Sequence, residues 1–334
     1  MVKVVLDVMG GDFAPREILE GAKLALDEFP ELYLYLVGKE EVLAKADFPE
    51  SRVRCIYASQ VVSMDEPPSE AIRKKRDSSI LKGLALLKEG EADAFVSAGN
   101  SGAVAGGALF TLGRIKGVRR PAIATLLPSM KKPFVLIDAG ANVDSKPVDL
   151  FQFGIMGKIF LEKVWNYDNP KIALLSIGEE TGKGNSLVKK THYLFSQSNF
   201  NYTGNVESKD IYKGEVDVVV CDGFIGNICL KLSEGVAEVV MEMLKEEVKK
   251  SFFAKLGMAL ASRALKAFKK RTDWREYGGA PLLGVKGVVI IAHGRSDRIA
   301  IKNAVKVALN SIKIGLIDKL ETAIQENLIK EERE

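Results

Sequence analysis

The feature that most constrains the fold is an alternation of short apolar runs with helical patterns along nearly the whole chain. Several of the apolar runs contain no polar residue, which is typical of strands covered on both faces. Strands that alternate with helices at this density predict an α/β fold with a mainly parallel sheet. Because no flexible linker or repeat interrupts the pattern, we expect residues 1–334 to form a single α/β domain, with a helical excursion at residues 240–280.

The predicted elements are nine strands and seven helices. The strands are at 2–8, 32–37, 53–57, 93–97, 122–127, 133–138, 171–176, 216–221 and 288–292. The helices are at 16–29, 79–88, 103–112, 148–165, 186–197, 228–249 and 297–312.

Composition excludes several classes of protein. With 334 residues, 47% hydrophobic and 28% charged, the chain is unlike disordered, collagen-like or coiled-coil sequences. Three cysteines are too few for a disulfide framework or a cysteine-rich zinc site, and two histidines offer little for a metal cluster. Asp7 interrupts the first apolar run, so we expect no secretory signal. No uncharged apolar run approaches the ~18 residues of a spanning helix. We therefore expect a reducing, cytoplasmic compartment and no metal.

Loops rich in Gly, Asn and Asp follow six of the strands. They lie at residues 7–12, 97–102, 138–142, 178–185, 221–227 and 293–296. Ligands of parallel α/β sheets bind outside the carboxyl ends of the strands. Glycine lets backbone N–H groups approach an anion closely, and a following helix N-terminus adds partial positive charge. Six such loops in succession indicate an anion-binding site.

Other kinds of site fit poorly. The glycines at 99, 102, 106 and 107 lack dinucleotide spacing, and the turn at Gly182-Lys183-Gly184 departs from a nucleotide-binding P-loop. No G-x-S-x-G nucleophile motif occurs. Cys221 lies in a strand and is better explained as a buried thiol than as a nucleophile. His192 is interpreted as structural, whereas His293 either lines the site or is structural. The remaining groups are suited to holding phosphate against a reactive electrophile.

Six motifs occur in a fixed order and carry a family resemblance. They are M-G-G-D-F-A-P at 9–15, S-A-G-N-S-G-A at 97–103, I-D-A-G-A-N at 137–142, I-G-E-E-T-G-K-G at 177–184, C-D-G-F-I-G-N at 221–227, and L-L-G-V-K-G with H-G-R-S near 282–296. Together they resemble the phosphate acyltransferase family of bacterial phospholipid synthesis. The resemblance implies transfer of a long-chain acyl group from acyl-acyl carrier protein to inorganic phosphate. The acyl phosphate would then feed a glycerol-3-phosphate acyltransferase.

The resemblance also implies a three-layer α/β/α sandwich like that of isocitrate and isopropylmalate dehydrogenases. It further implies a homodimer at the inner face of the cell membrane, with no organic cofactor.

Residue type and loop position suggest roles within this reaction. The catalytic candidates are Lys183 as counter-charge, Asn227 at the oxyanion, and Asp222, Glu179 or His293 for the proton. The phosphate-binding candidates are Asn100, Ser101, Gly102, Gly10, Gly11, Asp12, Asn142, Asn185, Gly223, Gly226 and Ser296. Turn formation and helix capping remain the alternative explanation for each of them.

One basic segment differs from the rest of the chain. Residues 249–271 contain eight basic residues and no acid, whereas the remaining chain has 40 basic and 44 acidic residues. A helix through residues 252–268 would group Phe253, Leu256, Leu260, Ala264 and Phe268 on one face. The membrane-contact candidates are Phe252, Phe253, Leu256, Leu260 and Phe268. The basic candidates for lipid headgroups or for the acidic carrier are Lys255, Arg263, Lys266, Lys269, Lys270 and Arg271. The apolar residues contact a membrane in this interpretation and the core in the alternative.

Two other functions stay open at this point. One is a short-chain phosphotransacetylase that uses acyl-coenzyme A. The other is a non-catalytic, membrane-surface protein whose loops bind a small anion. Nucleic-acid binding is not expected, because the surface outside the basic segment is acidic and no recognised module is present.

Overall fold

The computed structural model describes residues 1–328, without the side chains of Lys269 and Lys270. The strands are β1 (Val2–Asp7), β2 (Leu32–Gly38), β3 (Val53–Tyr57), β4 (Ala94–Ser97), β5 (Ala122–Leu127), β6 (Phe134–Ile137), β7 (Ile172–Ser176), β8 (Tyr202–Glu207), β9 (Val218–Val220), β10 (Ala280–Leu283) and β11 (Val288–Ile291). The helices are α1 (Arg16–Glu28), α2 (Glu40–Leu43), α3 (Pro68–Lys74), α4 (Ser79–Lys88), α5 (Ser101–Leu112), α6 (Pro147–Val164), α7 (Ser186–Ser196), α8 (Gly223–Lys250), α9 (Phe252–Leu260), α10 (Ser262–Thr272), α11 (Arg298–Lys313) and α12 (Leu316–Glu326).

The strands form one sheet in the order β3-β2-β1-β4-β11-β10-β5-β6-β9-β7-β8. The first five strands in this order are mutually parallel, and so are the last four. Between them, β10 pairs antiparallel with both β11 and β5, and β5 pairs antiparallel with β6. The two parallel halves therefore run in opposite directions, so their carboxyl ends lie at opposite edges of the sheet.

Helices cover both faces of this sheet. One face carries α1, α6, α11 and α12, whose apolar residues join the strands in the largest core cluster. The other face carries α4 and α5 over the first half and the start of α8 over the second. The central strands are fully buried, as in the Val-Val-Val sequence of β9. The three-layer α/β/α architecture with a mainly parallel sheet is confirmed.

The sequence interpretation was incomplete in two strands and several helices. β8 and β10 were not predicted, because β8 is polar at Tyr202–Glu207 and β10 contains a proline. The short α2 and α3 and the C-terminal α12 were also not predicted. α8 begins at residue 223, five residues before the predicted start, because the Asp222 side chain accepts a hydrogen bond from the Ile225 N–H and caps the helix there.

The basic segment is two helices rather than one. The Ser251 side chain caps the start of α9, and the chain turns at Ala261 before α10 begins. The single helix through residues 252–268 was therefore wrong. Phe253, Leu256 and Leu260 still share one face of α9, whereas Phe268 belongs to α10. None of the helices within residues 1–328 combines the length and the apolar character needed to cross a bilayer.

Candidate active site

The six glycine-rich loops divide into two groups because the sheet reverses direction. The first loop group (residues 7–12, 97–102 and 293–296) follows β1, β4 and β11. The second loop group (residues 138–142, 177–185 and 221–227) follows β6, β7 and β9. The six loops therefore lie at opposite edges of the sheet. The edges are nevertheless close, because a central strand of four residues spans only about 13 Å.

Helix α8 connects the two groups. Asn227, in its first turns, lies over Gly140, since a Cβ on that glycine would stand 3.4 Å from the Asn227 Cβ. Glu234 lies seven residues further along, and its carboxylate is 3.2 Å from Nε2 of His293. Seven residues correspond to about 10 Å of helix. Helix α8 therefore packs against both loop groups.

Asp7 is buried beneath the first loop group and holds two of its loops through hydrogen bonds. Its carboxylate is 1% exposed and accepts hydrogen bonds from the Ser97 hydroxyl (2.7 Å) and the Met9 N–H (3.0 Å). Burial raises the pKa of this carboxyl, and the hydrogen bonds act in the opposite direction. The loops above it are tightly packed, because a Cβ on Gly10 would stand 2.5 Å from the Gly99 amide nitrogen.

The phosphate-binding candidates of the first loop group differ in whether their hydrogen-bonding groups are free to contact a ligand. The Asn100 amide is occupied: its oxygen caps α5 at the Ala103 N–H, and its nitrogen donates to three carbonyls of residues 63–66. Ser101 is exposed at the start of α5, with Gly102 beside it. Asp12 is exposed, and its backbone N–H donates to the Gly294 carbonyl. Gly11 has a φ of 103°, which favours glycine at this turn.

His293 and Ser296 lie in the last loop of the first loop group, which follows β11. The Arg295 backbone N–H donates to Nδ1 of His293 at 3.1 Å, which places the imidazole proton on Nε2, facing Glu234. His293 therefore positions α8 in this arrangement and has no free basic nitrogen. Ser296 is 1% exposed, and its hydroxyl has no hydrogen-bond partner within residues 1–328.

Asp138 organises the second loop group. Its two carboxylate oxygens accept five N–H hydrogen bonds at 2.7–3.1 Å, from the backbone of Ile123, Gly140, Ala141 and Asn142 and from the Asn142 side chain. The residue is fully buried. Burial raises the pKa of the carboxyl, while the five donors favour its ionised form. This contact fixes the loop between β6 and the start of α6.

The start of α8 packs directly on that loop. The Gly223 N–H donates to the Asn142 carbonyl at 2.8 Å. A Cβ on Gly226 would stand 1.8 Å from the Asp138 carbonyl oxygen, so this position has room only for glycine. Asp222 caps the helix and is half-buried, which makes its first role structural. Asn227 is half-buried on the first turns of the helix, beside the loop that Asp138 holds.

Lys183 lies in the loop after β7, the strand next to β9. Its side chain is exposed and forms no ion pair within the part of the chain that the structure describes. Its position is fixed through Gly178, where a Cβ would stand 2.9 Å from the Lys183 Cγ. Glu179 is exposed, and Asn185 caps α7 through the Val188 N–H at 2.9 Å. A lysine without an ion pair among the described residues therefore lies in the loop that follows β7, with the Glu180 carboxylate also close to Gly178.

An arginine-lined cavity of about 380 Å³ adjoins the second loop group. Its polar lining is Arg114, Arg119, Arg120, Asn142 and Asp149, and its apolar wall is Leu109 and Pro121. We call it the arginine cavity. The sequence interpretation did not identify this cavity, because it assigned a role only to the basic segment at residues 249–271. The signal was the run G-R-I-K-G-V-R-R-P at 113–121, which has four basic residues and no acid.

Two other groups complete the description. Cys221 is 4% exposed, and burial raises the pKa of its thiol well above the ordinary value, so the reactive thiolate is suppressed. Within residues 1–328 no group of three or more His, Cys, Asp or Glu residues is arranged to hold a metal ion. The available chemistry is that of backbone amides, side-chain amides and cations acting on an anion.

Solved structures with the same architecture define the class of fold. A branched-chain phosphotransacylase from Enterococcus faecalis superposes with a TM-score of 0.60 at 17% identity, over 93% of this chain and 99% of that chain. A phosphotransacetylase from Streptococcus pyogenes gives 0.59 at 18% identity, over 97% and 94%. A 4-hydroxythreonine-4-phosphate dehydrogenase from Klebsiella pneumoniae gives 0.52 at 15% identity, over 93% and 100%. At these identities the likeness concerns the fold alone.

Sequence relatives are much closer. The family described as "Fatty acid synthesis protein" matches residues 2–319. A phosphate acyltransferase from Halothermothrix orenii is 50% identical over 325 residues, which cover 95% of this chain and 97% of that protein. One from Pelotomaculum thermopropionicum is 47% identical over 333 residues, covering 98% and 97%. The chain therefore belongs to the phosphate acyltransferase family of fatty acid synthesis proteins, as the sequence motifs predicted.

The contact between Gly226 and Asp138 leads to a stability prediction. Gly226→Ala forces the helix start away from the loop, and we expect it to lower the free energy of unfolding by about 1–3 kcal/mol. Gly235→Ala on the same helix is the control, because no atom lies within 4 Å of its added Cβ. Urea unfolding monitored by circular dichroism compares the two variants. Equal midpoints for both would contradict the close packing at the start of α8.

Proposed function

We propose that the protein transfers a long-chain acyl group from acyl-acyl carrier protein to inorganic phosphate, giving acyl phosphate and the free carrier. The observation that carries the proposal is the second loop group, where an unpaired ammonium group (Lys183), a helix start (α8) and a side-chain amide (Asn227) lie on adjacent strand ends. Such a group of donors and positive charge suits phosphate and a developing oxyanion. Membership of the phosphate acyltransferase family supports the same reaction.

The reaction needs no covalent enzyme intermediate. A phosphate oxygen attacks the thioester carbonyl, a C–O bond forms, and the C–S bond breaks. The electron pair leaves with sulfur, and the thiolate takes a proton from solvent or from a nearby acid. Lys183 pairs with phosphate, Asn227 stabilises the oxyanion, and positioning supplies much of the acceleration. The N–H groups of Gly223 and Gly226 are not available as oxyanion donors, because they donate to the Asn142 and Asp222 carbonyls and so hold the start of α8.

The two loop groups would then share one substrate. Phosphate and the thioester occupy the second loop group, and the acyl chain extends along α8 toward Ser101 and the buried Ser296. The separation of about 10 Å along α8 suits a long acyl chain, which acetyl-coenzyme A lacks. Of the proton-transfer candidates, Asp222 and Glu179 remain, because the nitrogen of His293 that could act as a base is occupied.

Thiol release from palmitoyl-acyl carrier protein tests this function. We expect release only when inorganic phosphate is present, with a product that hydroxylamine traps as the hydroxamate. Lys183→Ala should lower phosphate-dependent turnover at least about 100-fold, because a charge-assisted contact is lost where negative charge accumulates. Lys189→Ala, an exposed lysine on α7, is the control.

Other outcomes of the assay identify other functions. Turnover of acetyl-coenzyme A but not of the carrier thioester would indicate a phosphotransacetylase. Saturable phosphate binding without turnover of either donor would indicate a non-catalytic anion-binding protein. Unchanged turnover in Lys183→Ala would remove that residue from the mechanism.

We further propose that the protein is a homodimer that pairs through α8. Six apolar side chains on this helix recur every three or four residues, and each is at least 39% exposed: Ile225, Ile228, Leu232, Val236, Val239 and Met243. This spacing forms a continuous stripe about 27 Å long, typical of a helix that packs on another helix. A second copy of the same stripe would cover it.

The dimer proposal is tested by mass. In analytical ultracentrifugation we expect the wild-type protein to have twice the chain mass of 36.5 kDa. Leu232→Glu with Val239→Glu places two charges in the stripe and should shift the species to the monomer. Lys231→Glu, on an exposed polar position of the same helix, is the control. A monomeric wild type at micromolar concentration would contradict the proposal.

We propose that α9 and α10 hold the protein at an anionic membrane surface, on the cytoplasmic face. Phe252, Phe253, Leu256 and Leu260 are 50–81% exposed on α9, and Phe268 is 54% exposed on α10. Lys255, Arg263 and Lys266 are exposed beside them. Lys269 and Lys270 have side chains outside the described part. Arg271 is less available, because its guanidinium donates to the Ser129 and Met130 carbonyls.

Vesicle flotation tests the membrane surface. Phe253→Glu with Phe268→Glu should abolish flotation with phosphatidylglycerol-containing vesicles, since both aromatic contacts are replaced by charges that anionic lipid repels. Affinity for the acyl carrier should be retained. Tyr193→Glu, at an exposed aromatic position on α7, is the control. Flotation that survives the double substitution would overturn the membrane role. Membrane placement would deliver acyl phosphate directly to a glycerol-3-phosphate acyltransferase.

A further inference from the structure

The arginine cavity has more positive charge than its own carboxylate can neutralise. Its described lining has three guanidinium groups and one carboxylate, that of Asp149, which is 1% exposed. Nε of Arg119 donates to Asp149 Oδ1 at 2.8 Å, and the Lys146 backbone N–H donates to Oδ2 at 2.8 Å. Both oxygens of the carboxylate are therefore already engaged.

Arg120 and Arg114 provide the surplus charge. Nε of Arg120 lies 3.8 Å from Asp149 Oδ2, beyond hydrogen-bond distance. Arg114 donates to the Arg119 carbonyl and forms no ion pair within residues 1–328. The Arg119 carbonyl therefore holds Arg114 in place without neutralising it, and the exposed Arg120 shares Asp149 only at the longer distance. Guanidinium is the side-chain group best suited to bind phosphate through paired N–H donors.

The size and walls of the cavity indicate an organic phosphate. A volume of about 380 Å³ lies within the range of small-molecule sites and is larger than a bare phosphate ion needs. Leu109 and Pro121 give one apolar wall, which suits the carbon skeleton of an ester. The ligand that fits best therefore has a phosphate group attached to an uncharged chain.

The cavity is joined to the second loop group through Asn142. The Asn142 side chain lines the cavity and donates to the Pro121 carbonyl (2.7 Å) and to Asp138 (2.9 Å). The Asn142 carbonyl accepts the Gly223 N–H at the start of α8. A chain that runs from the cavity past Asn142 can thus reach the start of α8, where the thioester would react.

We propose that the arginine cavity binds the phosphate ester of the acyl donor's pantetheine arm. This inference rests on the proposed function, because the thioester of an acyl carrier is borne on a pantetheine chain that ends in a phosphate. Arg120 and Arg114 bind the phosphate, and Asp149 keeps Arg119 in position. Anchoring the far end of the arm orients the thioester toward Lys183 and Asn227.

Two soluble donors isolate the phosphate contact. Octanoyl-4′-phosphopantetheine has the phosphate, and octanoyl-pantetheine lacks it but is otherwise identical. In the wild-type enzyme we expect kcat/KM to be at least about tenfold higher for the phosphorylated donor, since a charge-assisted contact is worth that much. In Arg120→Gln this preference should fall close to unity. Lys116→Gln, in the same loop but outside the cavity, is the matched control and should keep the preference.

Binding without turnover separates this inference from the proposed function. With no inorganic phosphate present, calorimetric titration with each donor measures affinity alone. Tighter binding of the phosphorylated donor that Arg120→Gln abolishes supports the cavity, even if adding phosphate gives no turnover and the proposed function fails. Phosphate-dependent turnover with equal preference for both donors overturns the cavity assignment and leaves the function standing. A rise in KM for inorganic phosphate in Arg120→Gln, with donor preference retained, assigns the cavity to the co-substrate and also overturns the proposal.

Discussion

The buried carboxylate of Asp138 is the contact on which the second loop group depends. Removing a carboxylate from water is costly unless donors replace the lost hydration. Five N–H groups do so here, and they come from β5, from the loop after β6 and from Asn142. The same Asn142 holds the start of α8 through its carbonyl. The position of Asn227 is therefore set by a hydrogen-bond network that Asp138 anchors.

The reversal of strand direction at β10 and β5 is the second constraint. It separates loops that a uniformly parallel sheet would gather at one edge, so the glycine-rich motifs form two groups rather than one. Helix α8 compensates, because it starts in the second loop group and its Glu234, about 10 Å beyond Asn227, contacts His293 of the first. The site is consequently elongated, which matches a donor with a long arm rather than a compact ligand.

Most of the fold was predictable from local patterns, whereas the arrangement of the site was not. Runs such as Val218–Val220 identify buried strands by composition, and Asn100 identifies the start of α5 as a cap. The polar strand β8, the proline-containing β10 and the sheet reversal depend on pairing between distant segments, which no local pattern encodes. Local patterns also could not show that the hydrogen-bonding groups of Asn100 and the Nδ1 of His293 already have partners. The Asn100 amide nitrogen bonds to carbonyls more than thirty residues away in the chain, and Nδ1 of His293 accepts from a backbone N–H. The arginine cavity combines residues from a helix end, a loop and α6, so its charge balance emerges only in three dimensions.

Charge balance also explains why one carboxylate lies among three arginines. With no acid, mutual repulsion would spread the guanidinium groups into solvent, and a phosphate would have to order them on binding. With three acids, the ion pairs would be satisfied and would leave nothing for a ligand. One buried Asp149, fixed at the first turn of α6 by the Lys146 N–H, orders Arg119 and leaves Arg114 and Arg120 to contact a ligand. Preorganisation of this kind lowers the entropic cost of binding, so the cavity can orient a long, flexible donor without enclosing it.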